Sequence, residues 1–566
     1  MTVAKVLYPT ERRIYHPELT TCPHCTTPTA LLNYLASDKI VQTLTQPLSL
    51  AVRPSHCPNP ACPGFALRLR SITAQHLALP GGTYGRDVVA RLGWLRQEQT
   101  LTFTQVQAAL APAISISETH VRTLYHEAYL PLLAASARCH HAALTRLAEQ
   151  HGGLLLACDG LAPQGGEPQL WCVYELLTGL LLRAGWVSQV DQPTFERFLQ
   201  PLAAAWPVRA VLSDKQQGLE AAIGTVFPQA AHQLCQAHFL CRLADPIEHA
   251  DAQLGQAMRQ AVRAGLGSAL RVEAPTATAS SGILTVTGLL PEPLPVAALD
   301  SDAPPPAGTQ RANELVAELL RRVRYLLSLN GHRPDRWAGV EMVTGLEEVL
   351  QLSRELLAHR IHADLVRLVQ TLEGALGQVA DRVTGVRQAV RWLTDIQTLL
   401  DPTQTVAFSG AEVAADVSAY LGRLAHQAGA DEFLIRLMAH MRAVSRRYWG
   451  SLFHTYDQSG LPRTNNGLES RFRDVRRRLG RTTGQAGETA QQLQRLGAWE
   501  LLSRTATEAE QVAVFANVEL AEWQQERARV RQHQARFRLH SRNATRSRRQ
   551  LADLRQQWLA LPVATG

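Results

Sequence analysis

Long apolar runs are missing from this 566-residue chain. The richest one near the middle, LLTGLLL, is far shorter than the roughly 20 residues that a membrane-spanning helix needs. Residues 1–13 contain no apolar stretch of the kind found in a secretory signal. We therefore expect a cytoplasmic protein, associated with the nucleoid if it binds DNA, and without a membrane partner.

Cysteine is also scarce, with nine residues in the chain, and disulfides are not expected in a long cytosolic protein. Four of them form a CxxC and a CxxxxC pair near the N-terminus: Cys22, Cys25, Cys57 and Cys62. Four thiolates in two such pairs favour a tetrahedral structural Zn²⁺, which would stabilise a small domain over 1–75. The alternative is reduced cysteines in a loop, and His24 and His56 are interpreted as bystanders.

Acidic residues are absent between Arg527 and Arg549, a stretch that contains nine arginines. With the formal net charge of +8, this favours a nucleic-acid partner. Phosphate contacts from such a helix would add salt-dependent affinity. The alternatives are a solvated helix face and a disordered arm that becomes ordered on binding.

Two short amphipathic segments within 84–150 indicate a helix-turn-helix region. The second helix is predicted from Glu118 to Tyr125, with Ser115 or Ser117 as its N-cap. Its candidate DNA contacts are Thr119, His120 and Arg122. A helical pair that only packs against its neighbours is the alternative.

The remaining pattern predicts a multidomain α/β protein. Three strands, a helix, a strand, a helix and a strand follow one another, an order that indicates an RNase H-like α/β core. A large helical insertion is predicted to interrupt this core, and a basic helical tail to follow it. The predicted segments are 151–245 (first part of the core), 246–455 (insertion, with 272–310 Pro-rich and irregular and 311–455 helical), 456–485 (closing helix) and 486–566 (tail).

Three acidic residues stand where a metal-dependent nuclease would need them. Asp159 ends the apolar run LLLACD, and Asp214 ends VRAVLSD. Carboxylates on two neighbouring strands, joined by a third from a later helix, suit two Mg²⁺ or Mn²⁺ ions that clamp a phosphodiester. Each aspartate taken alone is equally compatible with a turn or cap residue.

Glu469 is the preferred third ligand because Asn465 and Asn466 can cap a helix that begins just before it. Three arginines follow it at helical spacing and are candidate phosphate contacts: Arg473, Arg476 and Arg477. The alternative is a solvated charged helix with a Glu–Arg pair.

The segments SDKQQGLEAAIGTVFP, HQLCQAHFL and TNNGLESRFRDVRRRLGRTTG resemble motifs of Mutator-like and related bacterial insertion-sequence transposases. These are DDE enzymes with an RNase H-like fold, often interrupted by a helical insertion. The resemblance implies Asp159, Asp214 and Glu469 as the catalytic triad, and Cys235 and His238 as a CxxH pair that supports the active site.

The function expected from the resemblance is that of a transposase, which binds the terminal repeats of a mobile element, cleaves the strand and transfers it to target DNA. A homo-oligomer is expected because two ends must be held together. Two other interpretations remain open, namely a domesticated DNA-binding protein without activity and a nuclease that cuts without joining.

Overall fold

The computed structural model describes residues 9, 11–163, 168–271, 307–404, 409–483, 497–503, 507–535 and 543–560. The chain divides into two compact units. The first unit combines Met1–His232 with Gly460–Gly566, and the second is Gln233–Ser459. Most of the Pro-rich segment predicted at 272–310 lies outside the described residues, and a helix already begins at Ala307.

The strands lie in the first half of the chain. They are β1 (Glu11–Tyr15), β2 (Ala30–Leu31), β3 (Ser37–Gln42), β4 (Pro47–Val52), β5 (Ser55–His56), β6 (Leu154–Leu161), β7 (Gln169–Glu175), β8 (Leu181–Val187), β9 (Val208–Ser213) and β10 (Ala231–Leu234).

Helices make up most of the remainder. The first group is α1 (Ile72–Leu77), α2 (Arg86–Gln97), α3 (Phe103–Leu110), α4 (Glu118–Leu124), α5 (Leu130–Ser136), α6 (His141–His151), α7 (Gln192–Ala205), α8 (Gln217–Val226) and α9 (Gln236–Arg271). The second group is α10 (Ala307–Leu326), α11 (Ala338–His359), α12 (Ala363–Leu399), α13 (Gly410–Gln427), α14 (Glu432–Tyr448), α15 (His454–Asp457), α16 (Asn466–Thr483), α17 (Ala498–Leu502), α18 (Glu508–Ala516), α19 (Leu520–Ala535) and α20 (Ala544–Leu559).

The N-terminal segment forms a three-stranded sheet in the order β1-β4-β3. β4 pairs in parallel with β1 and antiparallel with β3, while β2 and β5 form a separate antiparallel pair. Its apolar cluster is small and centres on Val41, Leu50, Val52, Ala74 and Ala78. A core of this size leaves much of the segment's stability to other interactions.

A helical core follows, in which α2 to α5 pack together with α18 and α19 from the C-terminal part of the chain. Phe515, Val518 and Trp523 are buried among side chains of these N-terminal helices. A five-residue π-helical turn, Tyr125–Tyr129, connects α4 to α5. The predicted second helix of the pair therefore ends at Leu124 as an α-helix.

Gly93 of α2 lies directly beneath the ring of Tyr129, and a Cβ added there would be 1.7 Å from the ring carbon Cε2. Gly93→Ala is therefore expected to lower the free energy of unfolding by about 1–3 kcal/mol through overpacking. Gly224→Ala is the matched control, because Gly224 of α8 has no atom within 4 Å of an added Cβ. Urea denaturation should show a neutral or stabilising effect of up to about 1 kcal/mol for the control. Equal midpoints for the two variants would contradict the packing at Gly93.

The central sheet has five strands in the order β10-β9-β6-β7-β8. β6, β7 and β8 are antiparallel neighbours, and β9 is parallel to β6. The parallel partner is reached through the crossover helix α7, as parallel strands require. The order of strands and helices from β6 to α9 agrees with the pattern predicted from the sequence.

Apolar residues line both faces of this sheet, as expected for strands that are covered on both sides. One face packs against α6, α7 and α8, with Cys158, Val173 and Val211 among its buried residues. The opposite face carries Ala157 and Leu161 and packs against α16 and α17. Asp159 lies between Ala157 and Leu161 at a spacing of two residues. It therefore belongs to the same face of the sheet, which α16 covers.

The second unit is helical and contains α9 to α15. Two clusters of buried side chains run through it, and the long helices α9 and α12 contribute to both. Four of its helices, α11 to α14, lie within 311–455, the segment predicted to be helical. None of the helices in the described part of the chain is long and apolar enough to cross a membrane.

Candidate catalytic carboxylates and zinc centre

The four predicted zinc ligands converge at one point of the N-terminal segment. The Sγ atoms of Cys22, Cys25, Cys57 and Cys62 all lie within 4.8 Å of one another. The Cys22–Cys62 and Cys25–Cys57 sulfur pairs are 3.7 and 3.5 Å apart. Neither His24 nor His56 belongs to the group. The cluster is compatible with a structural zinc ion held by four thiolates.

The surroundings of the sulfurs fit a metal. The Sγ of Cys22 accepts the backbone amide of His24 at 3.5 Å, and the Sγ of Cys62 accepts that of Gly64 at 3.2 Å. A Cβ on Gly64 would be 2.7 Å from the Cys22 sulfur, so glycine allows the backbone to approach the cluster. Hydrogen bonding with Thr27 lowers the pKa of the Cys25 thiol to about 6, whereas burial raises the pKa of the Cys57 thiol to about 12. The backbone amides that point at Cys22 and Cys62 stabilise negative charge on sulfur, which a thiolate ligand of zinc carries.

Asp159 and Asp214 follow paired positions on neighbouring strands. In the parallel pair β6–β9, Ala157 is opposite Leu212 and Cys158 is opposite Ser213. Asp159 follows Cys158 within β6, and Asp214 is the first residue after β9, so each aspartate comes directly after one member of the last paired position. Asp159 is 7% exposed, and its Oδ1 accepts the backbone amide of Gly160 at 2.7 Å.

The aspartate charges affect the pKa values of two neighbouring thiols, those of Cys158 and Cys172. Burial raises the pKa of the Cys158 thiol, and the negative charges of Asp159 and Asp214 raise it further. Burial likewise raises the pKa of Cys172, the antiparallel partner of Asp159, to which the Asp159 charge also contributes. The charges of both aspartates therefore act on the same buried thiol, that of Cys158.

Helix α16 brings Glu469 to the same face of the sheet. Leu468, Phe472, Val475 and Leu479 form the apolar side of this helix, and they share one buried cluster with Ala157, Leu161 and Cys172 of the sheet. Glu469 directly follows Leu468, is half-buried and has its backbone amide bonded to the carbonyl of Asn465 at 3.2 Å. The side chain therefore begins at the edge of the interface between α16 and the sheet.

Arg471 holds helix α16 against the sheet. The sequence pattern did not identify it as a site residue. Its guanidinium lies 4.2 Å from the ring centroid of Tyr174 on β7 and donates to the carbonyl of Gly179 at 3.0 Å. The charge of Arg471 also lowers the pKa of Cys172, against the larger effect of burial. These contacts fix the helix, and with it Glu469, against the β7–β8 hairpin.

The three carboxylates are an oxygen donor set of the kind that Mg²⁺ and Mn²⁺ prefer, so the residues fit such ions chemically. Within the described residues, Asp159, Asp214 and Glu469 do not form a group in which all ligand oxygens lie within 4.8 Å of one another. Asp159 and helix α16 share one face of the sheet.

The three predicted arginines of α16 are all exposed. Arg476 lies seven residues after Glu469, which is close to two helical turns, so both are on one flank of the helix. Arg473 is one turn away on nearly the same flank. Arg477 is displaced by about 80° around the helix axis, and its Nη1 lies 3.6 Å from a carboxylate oxygen of Asp474. Arg473 and Arg476 are thus better placed than Arg477 to meet a phosphate near Glu469.

Cys235 and His238, which are predicted to support the active site, lie where β10 leads into α9. Cys235 is fully buried between β10 and α9, and His238 is half-buried in the first turn of α9, in the second unit. Their support of an active site stays a prediction.

Helix α4 presents the three predicted DNA contacts on its exposed side. Ser117, one of the two predicted caps, accepts the amide of His120 at 3.3 Å. Arg122 pairs with Glu118 at 3.1 Å, and the His120 ring lies 5.2 Å from that of Tyr84. Thr119 is exposed beside them. The exposed residues of this helix are polar or charged, and its role in DNA binding stays a prediction.

The basic C-terminal stretch is partly neutralised within its own unit. Arg527 and Arg531 both pair with Glu127, and Arg529 pairs with Glu526 at 2.6 Å. Residues 536–542 lie outside the described residues. The arginines on α20, at 546, 548 and 549, have exposed or half-exposed positions on an exposed helix.

Comparison with known families gives one match. Residues 188–264 match the family model of the transposases of the Mutator family. The matched segment runs from the end of β8 into α9 and includes Asp214, Cys235 and His238, but not Asp159 or Glu469. No curated protein matches the chain significantly. The family match supports a transposase of the Mutator type and, with it, a role in binding DNA.

Proposed function

We propose that the chain cleaves DNA strands at the ends of a mobile element and joins them to target DNA, with Asp159, Asp214 and Glu469 as its catalytic carboxylates. The observation that supports this proposal is the register of β6 and β9, in which the residues directly before the two aspartates, Cys158 and Ser213, are partners. The packing of α16 on the same face of the sheet adds Glu469.

The sheet supports an RNase H-like core as the fold of the catalytic region. Three antiparallel strands followed by a helix and a parallel strand on the other side of β6 are the arrangement that such a core needs. The helical unit Gln233–Ser459 then stands between the second aspartate and the glutamate as an insertion. This explains a gap of some 255 residues between Asp214 and Glu469 without a break in the core.

The chemistry assigned to the carboxylates is the binding of two divalent ions. When bound, such ions activate a water molecule and stabilise charge on the phosphorus oxygens. Asp159 would help to hold such ions from β6, which lies next to β9 in the sheet. Arg473 and Arg476, on the flank of Glu469, neutralise phosphates of the bound strand. Arg471 acts as a positioning residue that holds α16 on the sheet.

Cleavage and joining are two displacements at phosphorus. In the first, a water oxygen bonds to phosphorus and the bond to the 3′ oxygen breaks, which leaves a 3′-hydroxyl at the element end. In the second, that 3′ oxygen bonds to a phosphorus of the target while a target P–O bond breaks. One phosphodiester replaces another, so the joining step needs no nucleotide cofactor.

Recognition of the element ends is assigned to the zinc-stabilised N-terminal segment and to α3 and α4 as a helix-turn-helix. Thr119, His120 and Arg122 are the proposed contacts in the major groove. A dimer or larger assembly is proposed because two ends must be processed together.

The proposal is tested with the DNA that flanks the gene. Terminal inverted repeats with short direct duplications outside them are expected there. Duplexes that contain those repeats joined to flanking DNA, labelled on the strand that carries the element's 3′ end, should be cleaved and joined to plasmid DNA in Mg²⁺ or Mn²⁺. Cleavage without joined products would make the protein a nuclease. Binding without either reaction would make it a non-catalytic DNA-binding protein.

A further inference from the structure

Helix α17 lies between the central sheet and the N-terminal helices of the first unit, in contact with β8, α5 and α16. Its residues Ala498, Leu501 and Leu502 are buried in the cluster that α16 shares with the sheet. Nη2 of Arg478 on α16 donates to the carbonyl of Leu501 at 2.9 Å. The hydroxyl of Tyr174 on β7 donates to the carbonyl of Leu502 at 2.7 Å. Both α16 and the sheet are therefore bonded to α17.

Glu500, on the same short helix, bonds instead to the N-terminal helices. Its Oε1 accepts a hydrogen bond of 2.7 Å from the hydroxyl of Tyr125, and its carbonyl accepts one of 3.2 Å from Nε2 of Gln97 on α2. Tyr125 is 3% exposed and directly follows α4. Its ring packs edge-on against that of Phe103 on α3, with 5.5 Å between the ring centroids. Tyr125 therefore connects both helices of the proposed helix-turn-helix to Glu500.

Two features of this contact are unusual for a link that serves packing alone. Tyr125 is the first residue of the π-helical turn between α4 and α5, and such turns within α-helices are rare and frequent at functional sites. Burial raises the pKa of Glu500, which is half-buried. An ionised carboxylate at such a position costs free energy that an apolar side chain would not, so packing alone would favour an apolar residue there.

We propose that Tyr125 and Glu500 are positioning residues that set the distance between α4 and helix α16, which carries Glu469. This role rests on the proposed function, in which α4 contacts the element end and Glu469 acts at the cleaved strand. The path between the two helices consists of one five-residue helix and the hydrogen bonds on its two sides. A fixed distance would set the number of base pairs between the recognised sequence and the cleaved bond.

Tyr125→Phe tests this role, because it removes the hydroxyl and keeps the ring. Duplexes that contain an element end joined to flanking DNA, supplied at saturating concentration in Mg²⁺ or Mn²⁺, should be cleaved about 10- to 100-fold more slowly than by the wild type. On a sequencing gel, a larger fraction of the cuts should fall away from the wild-type position. Affinity for the end in a gel-shift assay should be unchanged. A shifted cleavage position is a result that lower stability alone does not produce.

Tyr420→Phe is the matched control, because the Tyr420 hydroxyl also donates to a carboxylate, that of Asp395, at 2.6 Å, but in the second unit. Each variant loses one hydrogen bond to a carboxylate, so thermal denaturation should show comparable losses of stability. The control should keep the wild-type cleavage rate and position. Glu500→Leu removes the carboxylate from the other side of the contact, should reproduce Tyr125→Phe, and carries the test if that variant does not fold.

Failure of the positioning role is distinguishable from failure of the proposed function. If the wild type cleaves, and Tyr125→Phe and Glu500→Leu cut at the wild-type position as accurately as Tyr420→Phe, the positioning role is overturned and the proposed function stands. If the wild-type protein binds the element end but cuts neither strand, the proposed function fails, and the positioning role fails with it.

Discussion

Asp214→Asn is expected to abolish DNA strand cleavage while binding of the element ends is retained. The substitution keeps the size of the side chain but removes a negative charge that divalent ions require. Loss of a metal ligand removes several kcal/mol of transition-state stabilisation, which corresponds to a loss in rate on the order of 10³-fold or more. Cleavage of a labelled end in Mg²⁺ or Mn²⁺, with a gel-shift assay for binding, measures both properties. Asp159→Asn and Glu469→Gln should have the same effect.

Asp191→Asn provides the matched control for this prediction. Asp191 also follows a strand, but it caps α7 by accepting the amide of Thr194 at 2.9 Å. Asparagine caps helices nearly as well as aspartate, so the control should cleave at close to the wild-type rate. Cleavage by Asp214→Asn at the rate of this control would remove Asp214 from the catalytic site.

Cys57→Ser is expected to remove bound zinc and to unfold the N-terminal segment locally. The purified protein should contain about one zinc per chain, since the four sulfurs form a single tetrahedral group. Zinc binding contributes about 10–16 kcal/mol in small zinc domains at pH 7, and the small apolar cluster of this segment cannot replace that amount. Metal analysis gives the stoichiometry, and hydrogen exchange over residues 11–77 shows whether this region loses protection.

A chelator should act in the same way as Cys57→Ser, with loss of protection in the same residues. Cys139→Ser is the control, because Cys139 lies outside the cluster and is half-buried against the carbonyl of Val514. It should keep both the metal and the protection of residues 11–77. Protection that stays unchanged after complete removal of zinc would show that the segment is held by its apolar contacts alone.

Sequence patterns located the strands and helices of the central sheet well. The runs LLLACDG and VRAVLSD are largely apolar, short, and preceded by glycine or proline, which is typical of buried strands. The pairs CxxC and CxxxxC were enough to predict that four sulfurs meet, since few arrangements of two such pairs can bind one metal. Asn465 and Asn466 likewise marked the start of α16.

Sequence patterns did not predict contacts between distant parts of the chain. Arg471 was missed because its role depends on contacts with Tyr174 and Gly179, which are almost 300 residues earlier in the chain. Arg86 begins a helix and is ordinary in local sequence, yet its donors meet carbonyls more than 400 residues away. The packing of α18 and α19 among the N-terminal helices could not be predicted either, because an amphipathic pattern shows which face of a helix is buried but not which helices cover it.

The amino-acid sequence by itself determined which residues can bind metal, where strands and helices lie, and that the chain suits a nucleic-acid partner. These properties follow from side-chain chemistry and from periodicities of a few residues. Only the tertiary structure decided that β6 lies beside β9, that α16 covers the face bearing Asp159, and that Arg86 is buried. Such pairings are selected by the burial of apolar surface over the whole fold, and that free energy is shared among residues far apart in the chain.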